Sequence, residues 1–112
     1  MERDDSVYLQ HILDAISRIE EYLRGVDEEM FQQQHLIQDG IIRQLEIIGD
    51  ATKRLSRKVR DTSPEIPWQD IAGMRDKLVH DYFGVDIEAV WLTAREDVPG
   101  LKAAVSKLLK ES

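Results

Sequence analysis

The apolar residues of this chain recur every three to four positions almost from end to end, and the chain offers no strand candidate. Between Ser6 and Arg24 they fall at Leu9, Ile12, Ile16, Ile19 and Leu23, with Ala15 and Tyr22 widening the stripe. That is the 3.6 period of an amphipathic helix, ~28 Å long at ~1.5 Å per residue. Ser6 is the expected N-cap and Gly25 the expected stop. "VDEEMFQQQ" reads as a short connection with room for a helical turn of its own.

From about Gln33 to Val59 the period resumes at Ile37, Ile41, Leu45, Ile48, Ala51, Leu55 and Val59, and a second apolar edge at Ile42 and Ile47 implies packing on both sides. Gly40 and Gly49 lie inside this long helix, each costing ~1 kcal/mol relative to alanine. Close approach of a neighbouring helix is the favoured reason for them, a tolerated defect the alternative. Pro64 and Pro67 in "RDTSPEIP" cannot continue the helix.

Pro67 suits the first position of the next helix, whose stripe runs Trp68, Ile71, Ala72, Arg75, Leu78, Val79, Tyr82. Gly84 is the expected stop and Asp86 the next N-cap. A last stretch from Ile87 to Leu109 carries Val90, Trp91, Ala94, Val98, Leu101, Ala104, Val105 and Leu108, and Pro99-Gly100 must kink or split it. The expectation is a single all-α domain over residues 1–112, an up-and-down bundle of four to five helices.

Composition agrees with a folded unit: 42% hydrophobic and 33% charged residues in 112 argue against disorder. The absence of cysteine excludes disulfides and thiolate metal sites. No apolar run approaches the ~20 residues of a membrane span. "MERDDSVYLQ" is acidic where a signal peptide is basic, so a cytoplasmic location is expected. The net charge of −7 speaks against a general nucleic-acid coat protein. It is unevenly spread: residues 1–31 hold nine acids against three arginines, whereas "KRLSRKVR", residues 53–60, holds five bases and no acid. Lys53, Arg54, Arg57 and Lys58 are therefore candidates for holding RNA phosphates. The alternative is that the run is the solvated end of a helix, where cations suit the macrodipole.

An arginine in an apolar stripe asks for a reason. Arg75 and Tyr82, seven apart, share a helix face. Arg75 and His80, five apart, flank an edge, and Asp76 and His80, four apart, can meet, so the carboxylate can accept one ring N–H and fix the imidazole tautomer. Such a set suits metal-independent RNA cleavage. A base takes the 2′-OH proton, an acid protonates the leaving 5′-oxygen, and a cation steadies the phosphorane. Imidazole, with an ordinary pKa near ~6.5, does acid–base work, and a guanidinium fork matches phosphate oxygens. Arg75 and His80 are thus the candidate catalytic pair, with Asp76 orienting and the Tyr82 hydroxyl positioning phosphate. One helix supplies one histidine, so a two-fold dimer facing two such helices across a shared cleft would complete the acid–base pair. A snorkelling arginine, a surface Asp76–His80 pair and a core Tyr82 are the structural alternative. His11 and His35 lack partners at metal-ligand spacing and are read as surface or packing residues.

"MRDKLVHDYFGVD" resembles the signature of the HEPN domain family, an Arg, four residues, a His, one residue and a Tyr. With "QLEIIGDATKRLS" and "IPWQDIAGMRDKLVHDYFGVD", the chain is similar over nearly its whole length to HepT-like toxins that pair with minimal nucleotidyltransferase antitoxins. The resemblance implies a metal-independent, cofactor-free endoribonuclease toxin of a type VII-like pair. It further implies a homodimer with a composite cleft, in which Arg75, His80 and Tyr82 carry the family's roles. It implies a partner as well: a cognate nucleotidyltransferase that silences the toxin by transferring AMP to Tyr82, or by occluding the cleft. The alternative is a non-catalytic HEPN module that docks a nucleotidyltransferase or binds a nucleotide.

Overall fold

A computed structural model describes residues 3–80 and 84–111. Among the described residues the regular structure is all helical: α1 (Arg3–Leu23), α2 (Glu28–Gln33), α3 (His35–Arg54), α4 (Arg57–Thr62), α5 (Trp68–His80), α6 (Ile87–Leu92), a π-helical turn (Thr93–Asp97) and α7 (Val98–Lys110). α3 lies between α1 and α5, and α7 covers the other side of α1. This is the all-α bundle expected, and it explains the two apolar edges of α3. Leu9, Ile12, Ile16 and Ile19 of α1 meet Ile41, Leu45 and Ile48 of α3 in a core from which water is excluded, with Val105 of α7 also fully buried. Phe31 of α2 closes one end against Trp91, their ring centroids 5.3 Å apart. No described helix is long and apolar enough to cross a membrane.

The start of α1 differs from expectation. The helix is already formed at Arg3, so Ser6 lies inside it and not at the N-cap. Asp4 and Asp5 occupy the first turn, where the macrodipole favours carboxylates. Gly25 does stop the helix, with φ of +73°, a conformation that side chains with a Cβ disfavour. Asp27 then caps α2 by accepting the Met30 N–H at 2.8 Å.

The long second helix is also a correction, because it breaks before Val59. Leu55 is extended at φ −68°, ψ 142°, and Ser56 caps α4, its Oγ accepting the Val59 N–H at 3.2 Å. The break is held by Asp5, a residue only 3% exposed, whose carboxylate accepts both the Ser56 N–H and the Ser56 hydroxyl at 2.8 Å. The apolar period runs on across it because Leu55 and Val59 are both buried. Removing Asp5 strands that N–H, so Asp5→Ala should cost about 1–3 kcal/mol in urea unfolding. Asp4→Ala on the exposed side should stay within about 0.5 kcal/mol.

α5 begins one residue later than expected, with Pro67 as the preceding cap whose carbonyl accepts the Ile71 N–H at 3.0 Å. The Trp68 indole N–H donates to the carbonyls of Arg60 and Ser63 at 3.1 and 3.0 Å, pinning the start of α5 to the end of α4. Gly84 lies in the turn before Asp86, which caps α6 through the Ala89 N–H at 3.2 Å. The last stretch is split as expected, but ahead of the proline. Pro99 falls in the first turn of α7, and the irregularity is the π-helical turn before it, where the Val98 N–H reaches back five residues to the Thr93 carbonyl. A proline cannot donate to the carbonyl four residues back and its ring crowds that group, so the ladder loosens there.

Candidate functional site at the α3–α5 crossing

Gly49 sets the site. α5 crosses α3 so closely there that a Cβ on residue 49 would fall on the Arg75 Cβ and lie 3.0 Å from the Ile71 carbonyl oxygen. Gly40 is the milder case, its missing Cβ 3.2 Å from the Tyr22 ring. Both glycines thus mark close packing. At the crossing the Arg75 stem replaces an apolar contact, and its guanidinium emerges half-buried among charged groups of α3.

Its acidic partners are Asp50 of α3 and Asp76 of its own helix. Arg75 Nε lies 3.9 Å from Asp50 Oδ1, and Arg75 Nη1 donates to Asp76 Oδ1 at 3.2 Å. Asp50 also faces Arg54 at 3.9 Å, and the Lys53 ammonium donates to the same Asp76 oxygen. The Lys53 hydrogen bond, followed by that of Arg75, holds the Asp76 carboxyl below the usual carboxylate range. A depressed carboxylate stabilises the fold at pH above its unfolded value of about 3.9, and that contribution disappears as pH falls through the lower folded value. Lys53→Ala should therefore move the Asp76 titration midpoint upward, as read from its side-chain carboxyl carbon shift by NMR.

The expected Asp76–His80 pair is not formed. Lys53, one turn beyond Gly49 on α3, faces α5 at the crossing and takes the carboxylate first. His80 ends α5 and is exposed. Tyr82 lies outside the described residues. The basic run is divided by the Ser56 break: Lys53 and Arg54 close α3, where the macrodipole favours them, but Arg57 and Lys58 open α4, where it does not. The helix-end explanation therefore covers only the first two. All four are exposed, Lys53 engaged with Asp76 and Arg54 with Asp50 and the Tyr8 ring. His35 is exposed at the start of α3.

Arg75 also lines a cleft of about 380 Å³ between α1 and α3, whose other walls include Tyr8, His11, Arg43, Glu46 and Asp50. Sequence reasoning read His11 as a surface or packing residue and passed over Tyr8, Arg43, Glu46 and Asp50. A signal was present: Arg43, Glu46, Asp50 and Arg54 recur at helical spacing, two acids flanked by two bases, marking one polar face of α3. On the opposite side of α5 the covering is thin. Ile71, Met74 and Leu78 are half-buried, Val79 is 40% exposed, and an apolar groove of about 480 Å³ runs between α5 and α6.

Comparison with known proteins converges on one family. The family model described as "Ribonuclease HepT-like" matches residues 12–108. The chain is 46% identical over 110 residues to "Probable ribonuclease HepT" of Thermococcus cleftensis, covering 98% of this chain and 100% of that one. It is 39% identical to "Putative RNase MJ0125" of Methanocaldococcus jannaschii over 97% of this chain and 94% of that one. From the same organism, "Gamma-glutamylcyclotransferase and putative RNase MJ0434" is 41% identical over 99% of this chain but only 50% of its own length. No solved structure gave a significant match. With the family model spanning Arg75 and His80 and all the helices that carry them, the chain belongs to the HepT-like ribonuclease family of HEPN type.

Proposed function

We propose that this protein is a metal-independent endoribonuclease toxin that works as a two-fold dimer. The observation that carries the reading is the Gly49 crossing, which holds the Arg75 guanidinium in a polar cleft on the same helix that ends in an exposed His80. Arg75 binds the scissile phosphate. One histidine takes the 2′-OH proton while the 2′-oxygen attacks phosphorus, and a second protonates the departing 5′-oxygen. The products are a 2′,3′-cyclic phosphate and a 5′-hydroxyl. A second copy supplies the second histidine, because isologous contacts set identical residues opposite each other. The thinly covered apolar face of α5 supports such an interface. Arg54, Arg57 and Lys58 follow the RNA backbone, whereas Lys53 serves first to hold Asp76.

A free ribonuclease harms its host, and a nucleotidyltransferase partner in the cytoplasm silences this one by AMP transfer to Tyr82. The phenolic oxygen bonds to the α-phosphate of ATP and pyrophosphate leaves, adding a charge and a base that compete with RNA for Arg75. The test is incubation of purified protein with RNA in EDTA. Cleavage should persist and leave 2′,3′-cyclic phosphates. Loss of activity in chelator with 5′-phosphate ends would overturn the mechanism. Mass spectrometry after co-expression with the partner should find AMP on Tyr82; an inhibited complex with Tyr82 unmodified would mean occlusion instead.

A further inference from the structure

The chemistry proposed above uses Arg75 and His80 and leaves most of the α1–α3 cleft unused. That cleft is built unlike a plain surface groove. Tyr8 and His11, one turn apart on α1, stand edge to face with ring centroids 5.9 Å apart and planes at 79°. The Arg54 guanidinium lies over the Tyr8 ring, 5.8 Å from its centroid. Three flat groups thus line one small space, and unstacked bases lie on aromatic rings and guanidinium planes. In the same cleft, Glu46 has no hydrogen bond or ion pair among the described residues, although Asp50, one turn on, is engaged by Arg54 and Arg75. A volume of about 380 Å³ falls in the range of small-molecule sites, ~300–1,000 Å³.

We propose that this cleft is a subsite for one unstacked RNA base, that it prefers guanine, and that Glu46 reads it. The inference rests on the ribonuclease reading. Arg75 joins the two sites, lining the cleft while holding the phosphate, so the base it admits belongs to a nucleotide flanking the cut. The preference follows from donor geometry. A carboxylate only accepts, and guanine alone presents two adjacent donors, N1–H and the 2-amino group, to its two oxygens. Adenine and cytosine offer one amino group beside an acceptor that repels a carboxylate. Uracil offers one N–H flanked by two carbonyls. A base lying on the His11 ring or on the Arg54 guanidinium is held by its face whatever its identity, so these planes supply affinity and Glu46 supplies the choice.

The test compares binding of the 3′-monophosphates of guanosine, adenosine, cytidine and uridine by calorimetry, alongside cleavage of an oligonucleotide of mixed sequence. Guanosine monophosphate should bind at least about tenfold more tightly than the other three, a typical discrimination for one bidentate contact. Glu46→Gln, which exchanges one acceptor for a donor, should abolish that preference and broaden the cut sites. His11→Ala, at an exposed position, should weaken all four nucleotides alike. Equal binding of the four by the wild type, or an undiminished preference in Glu46→Gln, would overturn the subsite even if RNA is cut. Selective guanosine monophosphate binding by a protein that cuts no RNA would keep the subsite and remove the ribonuclease reading.

Discussion

His80→Ala is expected to lower RNA cleavage by about 10²–10⁴-fold, the usual cost of losing one acid–base group, and to relieve growth inhibition in cells. Its thermal unfolding should be unchanged, because His80 is exposed at the end of α5 and makes no side-chain hydrogen bond or ion pair among the described residues. The two readouts together matter. A variant that loses activity and stability in parallel would mean that the residue supports the helix end and not the reaction. Mixed dimers give a sharper check. If two copies share one cleft, His80→Ala subunits titrated into wild type should depress activity more than in proportion to their number.

Gly49→Ala should be the most damaging single-methyl change in the described residues. The atoms that a new Cβ would meet are the Arg75 Cβ and the Ile71 carbonyl, and neither can swing away as the end of a long side chain would. Overpacking of this kind costs about 1–3 kcal/mol, equivalent to several degrees in Tm for a domain of this size. It should also lower cleavage, since α5 is displaced from α3 at Arg75 itself. Gly73→Ala is the control. It lies on α5, the other helix of the crossing, with nothing within 4 Å of the new methyl, so the helix-propensity gain of about 1 kcal/mol should appear undiminished. Opposite shifts of melting temperature for the two alanines, measured by circular dichroism, would bear out the crossing. A stabilised Gly49→Ala would contradict it.

The contrast between those glycines also bounds what was legible in the sequence. Periodicity gave the helices, because burial follows phase along the chain, and Gly40 and Gly49 were readable as close contacts because a helix rarely keeps glycine otherwise. The break at Leu55–Ser56 was not readable that way. Leu55 and Val59 keep the apolar phase across it, and the cause is Asp5, fifty-one residues earlier. Neither the capping by Ser56 nor its capture by a buried carboxylate shows in the apolar period. Arg75 stood out as chemistry in the wrong place on a stripe, with His80 close behind it. Asp76 was assigned to His80 by spacing along one helix, and Lys53 on another helix took it instead. Contacts within a helix can be counted; competition from a neighbouring helix cannot. The cleft residues of α1 and α3 were missed for the same reason, since Tyr8, His11 and Glu46 converge only once the two helices pack.

The pairing of Arg75 with Asp50 and Asp76 has a consequence for how tightly RNA is held as salt rises. A cation that sits in solvent sheds condensed counterions from the nucleic acid when it binds, and each such contact on a single strand weakens affinity with a slope of about −0.7 in log K against log salt. Arg75 already has its anions, and they are part of the protein. A phosphate that takes the guanidinium exchanges with carboxylates, and the released Asp76 remains beside Lys53. The chain as a whole carries −7, so its repulsion of RNA at a distance is relieved by added salt while local attraction is screened. Affinity measured between low and physiological ionic strength should therefore fall far less steeply than five bases in residues 53–60 would suggest. On the proposed ribonuclease reading, such an enzyme would find its substrate by the shape and chemistry of the cleft, and would keep its grip in the crowded ionic medium where a simple basic patch would lose it.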